Sequence, residues 1–323
     1  MRILVLGSSG FIGARLVREL ARKLPDAEII ASDLRAGAPD TSLPGNIKFV
    51  VGDILDPKLF SNLFEHRIDA VFHLAAALTV DAESSFERGM DINVHALIRL
   101  LDACRLQVDT PKFLFASSVS TFGGELPETV DDYVRQTPQT SYGTHKVIGE
   151  QLINDYSRRG YLDGRSLRLP IVLTHPGPPS ASVSDRIASL IREPLSGQRV
   201  LCQIRPDTAL AVASVDTVIN SMLKLLAVPA QAFSETRALN LPALTVTPRE
   251  IAAAVGRRLA PNAGTPIEWG EDPMLQKVVD GWPAHFSSKQ ALELGLEPDH
   301  TVDAIIDAFL ADRASREQAT PND

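Results

Sequence analysis

The sequence predicts an α/β protein with a doubly wound parallel sheet, followed by a smaller C-terminal part that covers a ligand. Three observations carry this. Short apolar runs alternate with helix-periodic segments over the first 170 residues, the pattern of a parallel sheet covered on both faces. A glycine-rich turn, Gly7-Ser8-Ser9-Gly10-Phe11-Ile12-Gly13, ends the first apolar run and opens the first helical pattern. Beyond Pro170 the texture changes, because residues 175–179 read His-Pro-Gly-Pro-Pro, and prolines remove backbone donors and fix φ.

In chain order, residues 3–6 form a buried strand, and 11–24 an amphipathic helix opened by the glycines. Strands follow at 28–32, 47–51 and 70–74, and residues 86–106 read as one long helix. Residues 112–116 make a strand running into Ser117 and Ser118, 141–159 a helix, and 166–169 a strand. In the second part, helices are expected at 184–192, 214–226, 247–259, 287–294 and 302–311, with strands at 199–204 and 238–241. The third of these helices begins Thr247-Pro248-Arg249-Glu250, which supplies an N-cap hydroxyl, a proline in the first turn and a reciprocating glutamate. The division falls at 1–170 and 171–323, with a late strand and helix returning to the first sheet.

The chain has 323 residues, 44% apolar and 22% charged, enough for one large domain or two closely packed ones. A net charge of -8 without a basic run argues against nucleic acid. No apolar stretch approaches the roughly 20 residues that span a bilayer, and the N-terminus reads as a strand rather than a secretion signal, so a cytoplasmic location is expected. Cys104 and Cys202 form no CxxC pair and read as buried thiols in a reducing compartment. His73 and His145 lack partners at ligand spacing, and no metal is expected. The polar stretch 315–323 is expected to fray.

Glycines at positions 7, 10 and 13 permit a tight turn and close backbone approach, and the helix that opens at Phe11 and Ile12 favours a diphosphate at its N-terminus. Asp33 ends the second strand 20 residues after Gly13, where a carboxylate holds adenosine ribose hydroxyls in a Rossmann-like fold. That carboxylate would repel a 2′-phosphate, and no basic residue sits inside the glycine loop, so NAD is the expected cofactor, although Arg35 is close. Asp53 and Ile54 are placed to reach the adenine, with helix capping ahead of Pro57 as the alternative role for Asp53. Leu74, Ala75 and Ala76 offer small or apolar residues where backbone passes the cofactor.

Tyr142 lies 24 residues after Ser118, and Lys146 follows four residues later, on the same helix face. An unperturbed tyrosine pKa of about 10 makes a poor base, and a neighbouring ammonium pulls it towards neutrality. Tyr142 is therefore expected to take a hydroxyl proton while hydride leaves the same carbon. Lys146 would lower the tyrosine pKa and bond the nicotinamide ribose, and Ser118 would orient the reacting oxygen. Thr79 and Ser120 are further candidates to touch substrate.

These features resemble the extended short-chain dehydrogenase/reductase superfamily along the whole chain. The resemblance implies a structural or relay role for Asn93, contact of Pro170 with the nicotinamide amide, and a homodimer built on the helices at 86–106 and 141–159. More narrowly, residues 116–127, 140–146, 154–160, 191–195 and 280–282 are similar to the D-erythronate dehydrogenase group, which oxidises the 2-hydroxyl of a small sugar acid with NAD. The group's basic pattern is replaced here by Gly177-Pro178-Pro179-Ser180, Ala209-Leu210-Ala211 and Ser214-Val215-Asp216. A buried carboxylate needs a compensating cation, for which His175, Arg186, Arg192 and Arg205 are the candidates; without one, a neutral and more apolar substrate is implied. Nucleotide-sugar epimerisation is the second reading, weakened by Ile171 where many such members carry a phosphate-contacting asparagine. A non-catalytic NAD sensor is the third, and the intact Ser118, Tyr142 and Lys146 oppose it.

Overall fold

Burial on both faces is what makes the early apolar runs continuous: Ile3, Leu4, Val5 and Leu6 are all fully buried. In the computed structural model of the chain, which describes residues 1–35, 44–173, 182–233, 236–259 and 266–319, they belong to a seven-stranded sheet. The Rossmann-like half contains β1 (Arg2–Leu6), α1 (Phe11–Lys23), β2 (Glu28–Asp33), β3 (Ile47–Val51), α2 (Pro57–Leu63), β4 (Ala70–His73), α3 (Thr79–Ser84) and α4 (Phe86–Met90). It continues through α5 (Ala96–Arg105), β5 (Lys112–Ser118), β6 (Thr129–Val130), α6 (Ser141–Arg158) and β7 (Asp163–Leu169). Then come β8 (Ile171–Leu173), α7 (Val183–Leu195), β9 (Val200–Cys202), β10 (Leu210–Ser214), α8 (Val215–Ala227), β11 (Ala238–Asn240), β12 (Leu244–Val246) and α9 (Pro248–Gly256). The last elements are β13 (Ile267–Trp269), α10 (Pro273–Asp280), β14 (His285–Phe286), α11 (Lys289–Glu293) and α12 (Val302–Ala319).

The sheet order is β11-β7-β5-β4-β1-β2-β3, and every pairing in it is parallel. The chain starts in the middle and winds outwards in both directions, so the switch point lies between β1 and β4, where a crevice opens at the strand ends. On one face α1 and α8 bury Leu16, Leu20, Val218 and Met222 against the sheet. On the other, α2, α5 and α6 bury Phe60, Leu97, Leu101 and Ile153. A separate core in the C-terminal half joins β8, α7, β10, α9, α10 and α12 through Ile171, Ile187, Val212, Ile251, Val279 and Ile306.

Three departures from the sequence reading have physical causes. The run at 86–106 is helical but not uniform, since α4 and α5 are joined by a π turn at Asp91–His95. Buried Asn93 in that turn accepts from the Ala77 amide and donates to the Ala77 carbonyl, each at 2.9 Å, and such wide turns often mark functional sites. The strand β10 was not foreseen because its five residues are all buried, and a short, wholly buried run carries no period of two. The cap of α2 is Asp56, which accepts from the Lys58 amide, while Asp53 accepts from Leu55 in the preceding turn. The capping box of α9, by contrast, forms as the residues suggested. The proline-rich segment 175–179 lies outside the described residues. Cys104 and Cys202 are buried and unpaired, and among the described residues no helix is long and apolar enough to cross a membrane.

His73, at the end of β4, stacks on Phe115 at 5.8 Å, and its buried Nδ1 has no hydrogen-bond partner among the described residues. Burial, reinforced by the nearby Lys146 charge, lowers its pKa to about 3. The unfolded chain therefore takes up a proton near pH 6.5 that the folded chain refuses until about pH 3. Stability present at neutral pH is lost as pH falls through that window. His73→Phe should flatten this acid limb, so that urea unfolding at pH 5 and pH 7 differs less in the variant than in the wild type; an unchanged difference would contradict the assignment.

Candidate active site

The glycine turn is shaped by contacts that leave no room for side chains. Gly7 has φ +82, and a Cβ there would meet the Ala75 amide nitrogen at 2.7 Å; one at Gly13 would strike the Gly7 carbonyl oxygen at 2.0 Å. Gly10 caps α1 without a side-chain bond, and no acid occupies the first helical turn, leaving a helix N-terminus suited to an anion. Asp33 ends β2 beside this turn and accepts from the Ser9 amide at 2.9 Å. A cavity of about 500 Å³ runs along the strand ends. Gly7, Gly10, Phe11, Ile12, Gly13, Asp33, Asp53, Ile54, Leu74, Ala75, Ala76 and Pro170 all line it. Its shape, its backbone cradle and the carboxylate at the end of β2 fit a dinucleotide.

Ser118, Tyr142 and Lys146 line the same cavity. Ser118 ends β5 and bonds Ser120 Oγ at 3.0 Å. Thr140 caps α6 by accepting from the Gly143 amide, which sets Tyr142 in the first turn and Lys146 one turn later. Lys146 Nζ donates to the Ala116 carbonyl at 2.7 Å and lies 5.4 Å from the Tyr142 ring centre. Gly143 lets the helix approach the serine turn, since a Cβ there would meet the Ser120 carbonyl oxygen at 2.0 Å.

Burial governs the ionisation of both groups. It pushes the Tyr142 phenol up to about 12, with the Ser118 hydroxyl pulling the other way. It lowers Lys146 to about 7, opposed by the Glu150 carboxylate. The expectation that Lys146 brings Tyr142 towards neutrality is thus corrected: burial raises the phenol instead. Desolvation outweighs the Ser118 hydrogen bond at Tyr142, and burial lowers the lysine itself to about 7.

Glu150 continues the helix face one turn beyond Lys146 and is fully buried. Arg168 of β7 grips its carboxylate, with Nη2 at 2.8 Å and Nε at 3.0 and 3.1 Å from the two oxygens. Gln136 Nε2 donates to it at 2.8 Å, and Ser117 Oγ donates as well. Arg168 also donates to Asn240 Oδ1 and lies over the Phe122 ring. Sequence reading missed Glu150, although the spacing 142, 146, 150 already placed it on the helix face of Tyr142 and Lys146.

Other candidates fall elsewhere. Asn93 lies behind the cavity wall, holding Ala77 and bonding His145 Nδ1 at 3.2 Å. Thr79 begins α3 outside the wall, and Ser120 supports Ser118 from behind. Arg186 turns to Asp272 at 3.3 Å and Arg205 to Asp280 at 2.8 Å. Arg192 is buried against Asp185 at 2.6 Å, and it is Asp185, with Ser182 and Ser184, that faces the cavity. His175 lies outside the described residues. The wall also includes Arg88 and Ile92, one helical turn apart ahead of Asn93, a spacing that sequence reading overlooked.

A model of the NAD dependent epimerase/dehydratase family matches residues 3–226, and the chain belongs to that family. It is an NAD-dependent enzyme of the extended short-chain dehydrogenase/reductase type. D-erythronate dehydrogenase of Cupriavidus necator is 36% identical over 320 residues, covering 97% of this chain and 98% of that one. Mitochondrial L-threonine 3-dehydrogenase of Bos taurus is 28% identical over 295 residues, 90% of this chain and 76% of that one. The crystal structure of a nucleoside-diphosphate-sugar epimerase from Agrobacterium tumefaciens superposes with a TM-score of 0.91 at 30% identity, covering 98% of this chain and 95% of that one.

Two outcomes follow from this geometry. Gly143→Ala should push α6 off the serine turn and lower kcat by about 10²-fold, the scale of a misplaced catalytic group, with the fold retained by circular dichroism. Glu150→Leu alone should cost ~3–5 kcal/mol in urea unfolding because it leaves the buried Arg168 charge uncompensated. Adding Arg168→Met should recover much of that stability; equal losses in the single and double variants would contradict the pairing.

Proposed function

We propose that the protein oxidises a secondary hydroxyl of a small polyhydroxy compound, D-erythronate being the first substrate to test, with NAD as hydride acceptor. The observation that carries this reading is the presence of Ser118, Tyr142 and Lys146 on the wall of the same cavity as the Gly7–Gly13 turn and Asp33. Bound NAD supplies a hydride acceptor. Ser118 donates a hydrogen bond that orients the substrate oxygen. Tyr142 accepts the hydroxyl proton, and the protonated fraction of Lys146, favoured by Glu150, stabilises the phenolate. Across the cavity, Ser182, Ser184 and Asp185 offer acceptors and donors to further hydroxyls. The similarity to D-erythronate dehydrogenase supports a sugar acid. Among the described residues, α7 brings no basic group to the wall, which keeps the neutral polyol in contention.

Purified protein with NAD should be assayed for NADH formation against D-erythronate, erythritol, L-threonine and a UDP-hexose. NADH should form with D-erythronate or erythritol, and its rate should rise with pH, because burial raises the pKa of the phenol that must lose its proton. Tyr142→Phe should reduce the rate by about 10²–10⁴-fold while NAD binding persists. Conversion of the UDP-hexose without net NADH, or a fully active Tyr142→Phe variant, would overturn the reading.

A further inference from the structure

Among the described residues, the cavity wall contains three carboxylates, Asp33, Asp53 and Asp185, and two cations, Lys146 and Arg88. Lys146 is held by the Ala116 carbonyl, and Asp185 by Arg192. Arg15, on the helix that follows the glycine turn, is engaged by Asp216 and Asp312. Arg88 is different: it is exposed, and its guanidinium takes part in no hydrogen bond or ion pair with any described residue.

Its backbone is fixed on two sides. A Cβ on neighbouring Gly89 would meet Ala82 and His145 Cε1 at 3.1 Å, so α4 is packed against the catalytic helix. One turn further on, Asn93 clamps the loop after β4 through Ala77. That loop touches the glycine turn, as the 2.7 Å approach of a Gly7 Cβ to Ala75 shows. The two segments meet at the β1–β4 boundary, the middle of the crevice. A long, flexible, cationic side chain therefore stands on a rigid base in the wall of the same cavity that the α1 N-terminus lines, and the first turn of that helix carries no basic residue.

We propose that Arg88 is the oxyanion-binding side chain of this cavity and that its occupant is the diphosphate of the dinucleotide, held between the guanidinium and the α1 N-terminus. A guanidinium forms paired, charge-assisted bonds to phosphate oxygens, and this one breaks no internal contact to do so. The proposal rests on the reading of the cavity as a dinucleotide site. A substrate carboxylate presents the same oxyanion chemistry, and the test separates the two.

Calorimetric binding of ADP-ribose and of adenosine should be compared in wild type, Arg88→Gln and Arg88→Lys at two salt concentrations. Arg88→Gln should weaken ADP-ribose roughly ten- to a hundredfold, the range for a hydrogen bond to a charged group, and reduce its salt dependence. Adenosine binding should not change, and Arg88→Lys should recover part of the loss. Equal ADP-ribose affinity in wild type and Arg88→Gln would overturn the proposal. If the KM for D-erythronate then rises in Arg88→Gln at saturating NAD while that for erythritol does not, the oxyanion is the substrate's carboxylate. Failure of the wild type to bind ADP-ribose would instead remove the dinucleotide reading itself.

Discussion

One buried carboxylate holds together the three segments on which the site depends. Glu150 lies on α6 with Tyr142 and Lys146, accepts from Ser117 beside Ser118 at the end of β5, and receives Arg168 from β7 just before Pro170. The serine, the tyrosine–lysine helix and the wall at Pro170 are thereby tied through a single side chain. Such a pair is weak evidence for stability, since desolvation can offset its attraction. Its effect here is geometric and electrostatic: it fixes relative positions, and it opposes the burial that would otherwise strip Lys146 of its proton.

The surrounding groups respond to the same dryness. His73, Tyr142 and Lys146 are all pushed towards their neutral forms, chiefly by desolvation. A low-dielectric cavity makes each remaining charge count for more. Around this cavity Asp33 ends β2, Glu150 lies one helical turn beyond Lys146, and Arg88 lines the wall from α4. This distribution also explains why Asp185 can face the cavity, because Arg192 stands directly behind it.

The parts legible in the sequence were those specified by local rules. Gly7 to Gly13 must be glycine where backbone meets backbone, Asp33 must end a strand, and Tyr142 and Lys146 share a helix face, so each could be placed without knowing its neighbours. The illegible parts depended on long-range partners. Arg186 and Arg192 read as ligands for a carboxylate because Asp272 and Asp185, which take them up, are identified only by folding. Glu150 carries no local signal, since nothing on its own helix shows Arg168 arriving from β7. Arg88 was missed for the opposite reason: a cavity-wall cation without a partner among the described residues is recognisable only once folding shows that Lys146 is held by the Ala116 carbonyl. The π turn at Asn93 belongs to the same class, being driven by its bonds to Ala77 rather than by helix propensity.

A net dehydrogenase and an epimerase differ in where the hydrogen of the oxidised carbon goes. D-erythronate or erythritol carrying deuterium at its secondary carbinol carbons, incubated with the protein and NAD and followed by mass spectrometry of the nucleotide, should give NADH with one deuterium per ketone formed. Deuterium that remains in the carbohydrate while its configuration changes, with no label in the nucleotide pool, would contradict a net dehydrogenase.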